Sequence, residues 1–389
     1  MQKKILLCLV TLLFSGLATT AALAMTSQEQ LGKVLYYDKY LSLNQNQSCA
    51  TCHHQKAAFA DPDNLRDPFN NVVSLGSDVT LNGGRNAPTA AYAAFTPIFA
   101  WDAAAELYVG GQFWDGRANT LKDQAKGPFL NPVEMALANE AAVIAAIADP
   151  SNPNYKKYLR LFQRAYGVDL NAIDYTDDAL ILTLFDQVAE AIGVFEQTAR
   201  FTEFTSKYDL FLAGLITLSD QELSGLALFE GVAGCALCHP SQAVVNADGT
   251  IVPPLFTDHT YDNLGVPKST NPLISANPID YGLGGRLGDS NQNGKFRVST
   301  LRNLELTAPY THNGYFATLP EIVNFYNTRD IGAWAPPEVP ENVNTTETGN
   351  LGLTPQQEAD LVAFLLTLTD GFATERPANF VLPPVTPLN

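Results

Sequence analysis

Apolar residues recur at helical spacing along much of this 389-residue chain. Gln28–Tyr40 reads as an amphipathic opening helix. Glu140–Ala148 and Tyr155–Tyr166 read as helical pieces split by Pro150 and Pro153. Asp177–Arg200 reads as one long helix, with Leu182, Leu184, Val188, Ile192 and Phe195 as its apolar positions. Ser219–Phe229 follows with Ser219 as N-cap. Thr354–Leu368 closes the pattern, capped by Thr354 and turning Leu361, Phe364, Leu365 and Leu368 toward a core. Two Gly/Pro/Asn-rich stretches, Asp61–Val109 and Asn246–Arg297, interrupt the helices, and loops of that length in a compact domain often carry function. The tail Glu375–Asn389 is Pro-rich and reads as a surface wrap or a loose end.

The first 24 residues change the setting. Lys3 and Lys4 precede a mostly apolar run from Ile5 to Leu17, and Ala22-Leu23-Ala24 forms a cleavage site before Met25. The apolar run is broken by Ser15 and Gly16, so a cleaved leader is expected rather than a membrane anchor, with a periplasmic or cell-surface destination and no membrane insertion afterwards. The net charge of −17 becomes −19 once Lys3 and Lys4 are lost. So acidic a surface argues against nucleic acid and anionic membranes, and suits a basic partner protein.

The chemistry sits in two Cys-x-x-Cys-His motifs, Cys49-Ala50-Thr51-Cys52-His53 and Cys235-Ala236-Leu237-Cys238-His239. Two thiols two residues apart can capture the vinyl groups of one haem while the adjoining imidazole binds its iron. The adjacent His in both copies, together with export, selects covalent haem over a zinc site or a redox dithiol. Leu31-Gly32-x-x-Leu35-Tyr36 precedes the first motif and Gly225-x-x-Leu228-Phe229 the second, a faint repeat that points to a duplicated unit. The expected organisation is a leader at 1–24, an N-terminal domain at 25–205, a C-terminal domain at 206–374 and a tail at 375–389, with the junction in Phe201–Leu218.

Each haem iron has a second axial position, for which His and Met are the usual ligands. Beyond the motifs, the mature chain offers only His54, His259, His312, Met25 and Met135. His54 adjoins His53 and cannot reach over the same iron, and Met25 stands at a frayed new terminus. At least one iron is therefore expected to be open or unusually ligated. His312 reads as lying near a propionate, and His259 as a surface group, a neighbour of the haem or a ligand. Trp334 reads as a packed aromatic or an exit for oxidising equivalents.

Further motifs run in order along nearly the whole mature chain. They are Gly84-Arg85-Asn86-Ala87-Pro88-Thr89, Gln112-Phe113-Trp114-Asp115-Gly116-Arg117-Ala118, Gln124-Ala125-Lys126-Gly127-Pro128, Asn131-Pro132-Val133-Glu134-Met135, Val298-Ser299-Thr300-Leu301-Arg302-Asn303 and Leu306-Thr307-Ala308-Pro309-Tyr310-Thr311-His312-Asn313-Gly314. With these the chain resembles the bacterial di-haem cytochrome c peroxidase and MauG superfamily. The resemblance implies a mostly α fold of two cytochrome-c-like domains, each enclosing one covalently bound haem. It implies that Glu134 and Gln124 face the peroxide side of the N-terminal haem, that Trp114 lies between the haems, and that Asn86, with backbone carbonyls of Thr307 and Pro309, holds calcium between the domains. Classical members carry a capping His in the loop that here reads Ser74-Leu75-Gly76-Ser77-Asp78-Val79, and a Met where this chain has Tyr326. Both departures point to the MauG-like branch, with an open N-terminal iron and Tyr326 on the C-terminal iron; His259 and His312 remain rival ligands.

The reading that follows is a di-haem peroxidase. Hydrogen peroxide is reduced at the N-terminal haem with Glu134 moving the proton, Trp114 shares an oxidising equivalent with the C-terminal haem, and an external donor, a small cytochrome c or a cupredoxin, supplies electrons. The alternatives are a maturation enzyme that oxidises a Trp or Tyr side chain of a partner protein, and a non-catalytic electron carrier.

Overall fold

The computed structural model describes residues 24–389, so the leader expected over residues 1–24 lies, apart from Ala24, outside the described residues. Among the described residues the chain forms twelve α-helices and three two-stranded antiparallel sheets, which makes the fold mostly α. No described helix is long and apolar enough to cross a membrane.

Local sequence chemistry sets most helix ends. Glu140–Ala148 and Tyr155–Tyr166 form as read. Ser219 and Thr354 each close a capping box, with Glu222 and Gln357 returning a hydrogen bond to the cap backbone. The opening helix spans Ser27–Tyr37 and is capped by Thr26. Met25 is half-buried against the first core rather than frayed, and its carbonyl accepts from Gln30 Nε2 at 2.7 Å. The long helix runs Asp178–Glu196 and gives way to a 3₁₀ turn at Ala199–Phe201, before the expected end. Leu182 is a second correction: it is 54 % exposed, and Ile181 takes the inward position in step with Leu184, Val188, Ile192 and Phe195.

Two main cores follow the two halves. The first gathers residues from Leu31 to Phe204, with Ile251 and Phe380 added; the second gathers Tyr208 to Leu368. The faint sequence repeat has a shared structural cause. At Gly32, the opening helix crosses the Asp178–Glu196 helix so closely that a Cβ would lie 1.8 Å from the Ala191 carbonyl oxygen. At Gly225, the Asp220–Glu230 helix crosses Pro355–Leu366 in the same way, with a Cβ 2.0 Å from the Asp360 carbonyl oxygen. Tyr36 and Phe229, four residues later in each copy, are fully buried against Phe195 and Phe364 at 5.4 and 5.1 Å between ring centroids. Each half thus brings its entry helix across its last long helix and delivers the chain into a Cys-x-x-Cys-His turn.

The two long stretches are not structureless. The first holds a short helix, Pro62–Arg66, and a hairpin of Ala100–Asp102 with Leu107–Val109; the second holds three short strands, Ile251–Val252 pairing with Val244–Val245 just before it and Tyr261–Asp262 with Phe296–Arg297, and a helix at Gly282–Leu287. The tail wraps: Phe380 bridges Ile251, and Thr386 bonds the Ala94 and Thr96 carbonyls and accepts from Gln197. Where the halves meet, Arg302 and Asp209 form a fully buried pair with two N–O contacts of 2.9 Å. Arg302 also donates to the Pro254 carbonyl at 2.9 and 2.7 Å.

Candidate functional site

Both motif turns present the same donor set. Cys49, Cys52, Cys235 and Cys238 are free thiols, so none is committed to a disulfide. His53 Nδ1 lies 3.1 Å from the Phe59 carbonyl oxygen, and His239 Nδ1 lies 2.8 Å from that of Phe256. A ring that donates from Nδ1 to a backbone carbonyl keeps its Nε2 lone pair for a metal and its plane fixed. Burial holds both imidazoles below their ordinary pKa, His239 at about 4, so they stay neutral as ligands must. Tyr36 adds a bond from its hydroxyl to the His53 carbonyl at 2.7 Å.

Around the second motif lies a cavity of about 260 Å³ whose wall includes Cys235, Cys238, His239 and Tyr326 as well as Phe229, Leu255, Leu301, Val323 and Leu361. Thiols, a fixed imidazole and an apolar wall are the donor set and setting that a covalent haem needs, so the residues fit that group. Tyr326 stands on the Leu319–Thr328 helix, and burial pushes its phenol well above the ordinary value. Its hydroxyl has no protein hydrogen-bond partner among the described residues, although its backbone carbonyl accepts from Gly349.

Trp114, Asn86, Thr307, Pro309, His259 and His312 line the same cavity, so the predicted bridging and cation residues are brought together with the C-terminal motif. Trp114 Nε1 donates to the Asn86 carbonyl at 2.9 Å. Asn86 also donates from its backbone to His312 at 2.7 Å and from Nδ2 to Val72 at 3.1 Å, which leaves Oδ1 unengaged among the described residues. His259 is not on the surface: it is buried, its Nδ1 has no partner, and burial with the Arg297 charge holds it down to about 3. His312 stacks on Phe296 at 3.6 Å and lies 3.8 Å from Glu338. Trp334 packs against Phe316 and Phe325 and donates to Thr328, which is the packing role.

The residues expected on the peroxide side of the first motif lie on the Leu121–Leu130 helix and in the turn after it. Thr120 caps that helix, and Pro128 inside it removes the backbone donor that would reach Gln124. Gln124 is half-buried; the helical period puts it on the face of Asn131, two turns on. Asn131 Nδ2 donates to Glu134 Oε1 at 2.9 Å. Burial raises the Glu134 carboxyl, against the Arg117 charge and the Asn131 bond, which lower it. Glu134 is near enough to both Cys49 and Cys52 to push their thiols further up, which places its carboxylate at the N-terminal motif. Arg117 is held over the Phe113 ring at 3.5 Å and bonded to Asp115.

The loop Ser74–Val79 runs alongside. Ser77 donates its backbone N–H to the Glu134 carbonyl at 2.6 Å, Gly76 presses against Val133, and Ser77 Oγ is tied to Asn46. His54 turns its Nδ1 to the Lys56 N–H at 3.1 Å. Met135 is buried in the first core. Sequence reasoning missed Asn131 and Arg117 as partners of Glu134, although both lie in motifs it quoted. It also missed Glu196, a buried carboxyl at the end of the long helix that burial raises to about 8 and whose Oε2 has no partner.

Paired thiols beside a fixed imidazole, once in each half, define a c-type cytochrome with two haem sites. A family model for di-haem cytochrome c peroxidase matches residues 26–217. Methylamine utilization protein MauG of Paracoccus denitrificans is 38 % identical over 375 residues, covering 92 % of each chain. Cytochrome c551 peroxidase of Nitrosomonas europaea is 31 % identical over 364 residues, covering 92 % of this chain and 84 % of that one. Among solved structures, the diheme peroxidase BthA from Burkholderia thailandensis superposes with a TM-score of 0.76 at 30 % identity, over 90 % of this chain and 88 % of that one. The chain belongs to the di-haem cytochrome c peroxidase family, and is an oxidoreductase that takes two haems.

Proposed function

We propose that this protein reduces hydrogen peroxide at an open N-terminal haem and draws the electrons through the C-terminal haem from an external redox protein. Cys49, Cys52 and His53 hold the first haem, and Cys235, Cys238 and His239 the second. The observation that carries this reading is the Glu134 carboxyl, fixed by Asn131 and raised by burial beside the first motif. When bound, the haem supplies an iron on which peroxide can bind and be reduced. Glu134 takes the proton from the inner peroxide oxygen and returns it to the outer one, the work of a general acid–base whose pKa lies above an ordinary carboxylate's. Gln124 orients the peroxide by hydrogen bonding. Trp114, fixed to Asn86, relays an electron between the halves. Asn86 Oδ1 with the Thr307 and Pro309 carbonyls forms a hard oxygen set for calcium, which would lock the halves at one spacing. The chain acts in the periplasm after loss of its leader.

Holoenzyme mixed with peroxide and a reduced small cytochrome c or cupredoxin is expected to oxidise two donors for each peroxide consumed; absence of peroxide consumption would overturn the reading. A second reading, oxidation of a Trp or Tyr side chain in a partner protein, is favoured by Tyr326 and by the loop Ser74–Val79 without His. It is distinguished by a covalent change in the partner instead of reversible donor oxidation.

Tyr326 is assigned to the C-terminal iron. Its buried phenol stays neutral in the bare protein, and a cation at its oxygen offsets that burial cost. In Tyr326→Phe, the low-spin ferric EPR signal is expected to be lost or displaced. An unchanged low-spin signal would reject this ligand in favour of His259 or His312.

A further inference from the structure

One aromatic column outside these sites runs from directly behind the cavity wall to solvent. In the hairpin of Ala100–Asp102 and Leu107–Val109, Trp101 lies directly opposite Tyr108. Their rings are 4.9 Å apart, and Tyr108 stacks on Phe99 at 5.2 Å and 9°. Phe99 meets Tyr261 edge-on at 5.9 Å. Tyr261 is 5 % exposed, whereas Trp101 is 49 % exposed.

The inner end abuts the C-terminal cavity. Tyr261 pairs across its strand with Arg297, which lines that cavity and donates its backbone N–H to the Trp114 carbonyl at 2.8 Å. The Tyr261 hydroxyl donates to the Gly110 carbonyl at 2.6 Å and crowds Gly116, so the ring cannot swing away. The outer end is flanked by exposed Asp102 and Glu106 and by exposed Ile98 and Leu107. A cross-strand aromatic pair stabilises a hairpin, which explains Trp101 with Tyr108. It does not explain the continuation through Phe99 to a fixed tyrosine paired with Arg297 of the cavity wall.

We propose that Trp101 is a surface oxidation site, where a neutral or cationic aromatic one-electron donor gives up electrons that travel through Tyr108 and Tyr261 to the C-terminal cavity. Tyrosine and tryptophan are the side chains most readily oxidised by one electron, and Phe99 fills the gap between two of them. The two carboxylates favour a cationic donor over an anionic one. The proposal rests on the peroxide-reducing reading. Each peroxide takes two electrons and two protons to give two waters, and two donor molecules each lose one electron. Each tyrosine recovers on re-reduction the proton it released. Without a donor, Trp101 gives up two electrons and takes one oxygen atom from a water molecule, whose addition releases two protons, so the side chain gains one oxygen atom in all.

The test treats holoenzyme with stoichiometric peroxide and no donor, follows peroxide loss, and maps oxygen incorporation by peptide mass spectrometry. Oxygen is expected at Trp101 in the wild type, and is expected to be lost, per peroxide consumed, in Tyr261→Phe and in Tyr108→Phe. Oxidation of tetramethyl-p-phenylenediamine is expected to fall in Trp101→Phe. Failure to consume peroxide sinks the parent reading. Peroxide consumption with Trp101 unmodified, or modified equally in both tyrosine variants, overturns this site, because direct attack from solvent would not need the column.

Discussion

Glu134→Gln is expected to slow peroxide reduction by roughly 10²–10⁴-fold, the range of a lost general acid–base, while both haems remain bound. Gln keeps the size of the side chain and can still pair with Asn131, so the pocket stays filled. What it loses is a group that can accept a proton and return it. The pH profile carries the sharper signature. In the proposed mechanism the base form of Glu134 starts the reaction, and burial raises its pKa. The wild-type rate should therefore climb as pH rises through a value above that of an ordinary glutamate, and that limb should vanish in the variant. Stopped-flow rates against pH check both. A variant with the wild-type rate and profile would remove Glu134 from the mechanism.

The largest expected effect on stability is at Arg302. Its guanidinium is fully buried, paired with Asp209, bonded to Pro254 and set over the Phe204 ring at 4.4 Å. Asp209 also closes the capping box of the Lys207–Leu212 helix through Ser206. Arg302→Met leaves a carboxylate buried without its cation, which costs about 3–5 kcal/mol. The Pro254 carbonyl loses its donor two residues before Phe256, whose carbonyl fixes His239. Denaturant unfolding of the holoprotein should show the loss. Asp209→Leu combined with Arg302→Met should recover much of it, because replacing both members of a buried pair by apolar groups is often neutral. Equal losses in the single and double variants would contradict the account.

Legibility followed the range of the interactions. Helices with a local period and a local cap, such as those begun by Ser219 and Thr354, were readable because their signals lie within a few residues. Leu182 misled because Ile181 offers the same apolarity one position earlier, and only packing into the first core decides between them. The repeated Gly-x-x-Leu-aromatic pattern was visible, but its cause was not: Gly32 meets Ala191 and Gly225 meets Asp360 across large sequence separations. The haem motifs were legible because their chemistry is contiguous. Asn131 holding Glu134 was nearly so, three residues apart. Glu196 beside Cys49, His259 turned inward and the Tyr261 column arise from tertiary contacts that no local pattern encodes.

The central claim is that the two haem sites are unequal, one iron open beneath Glu134 and the other closed by a protein ligand. EPR of the diferric holoprotein, before any peroxide is added, tests it most directly. The account predicts one high-spin and one low-spin ferric signal in equal amounts. Two low-spin signals would contradict it and leave an electron carrier.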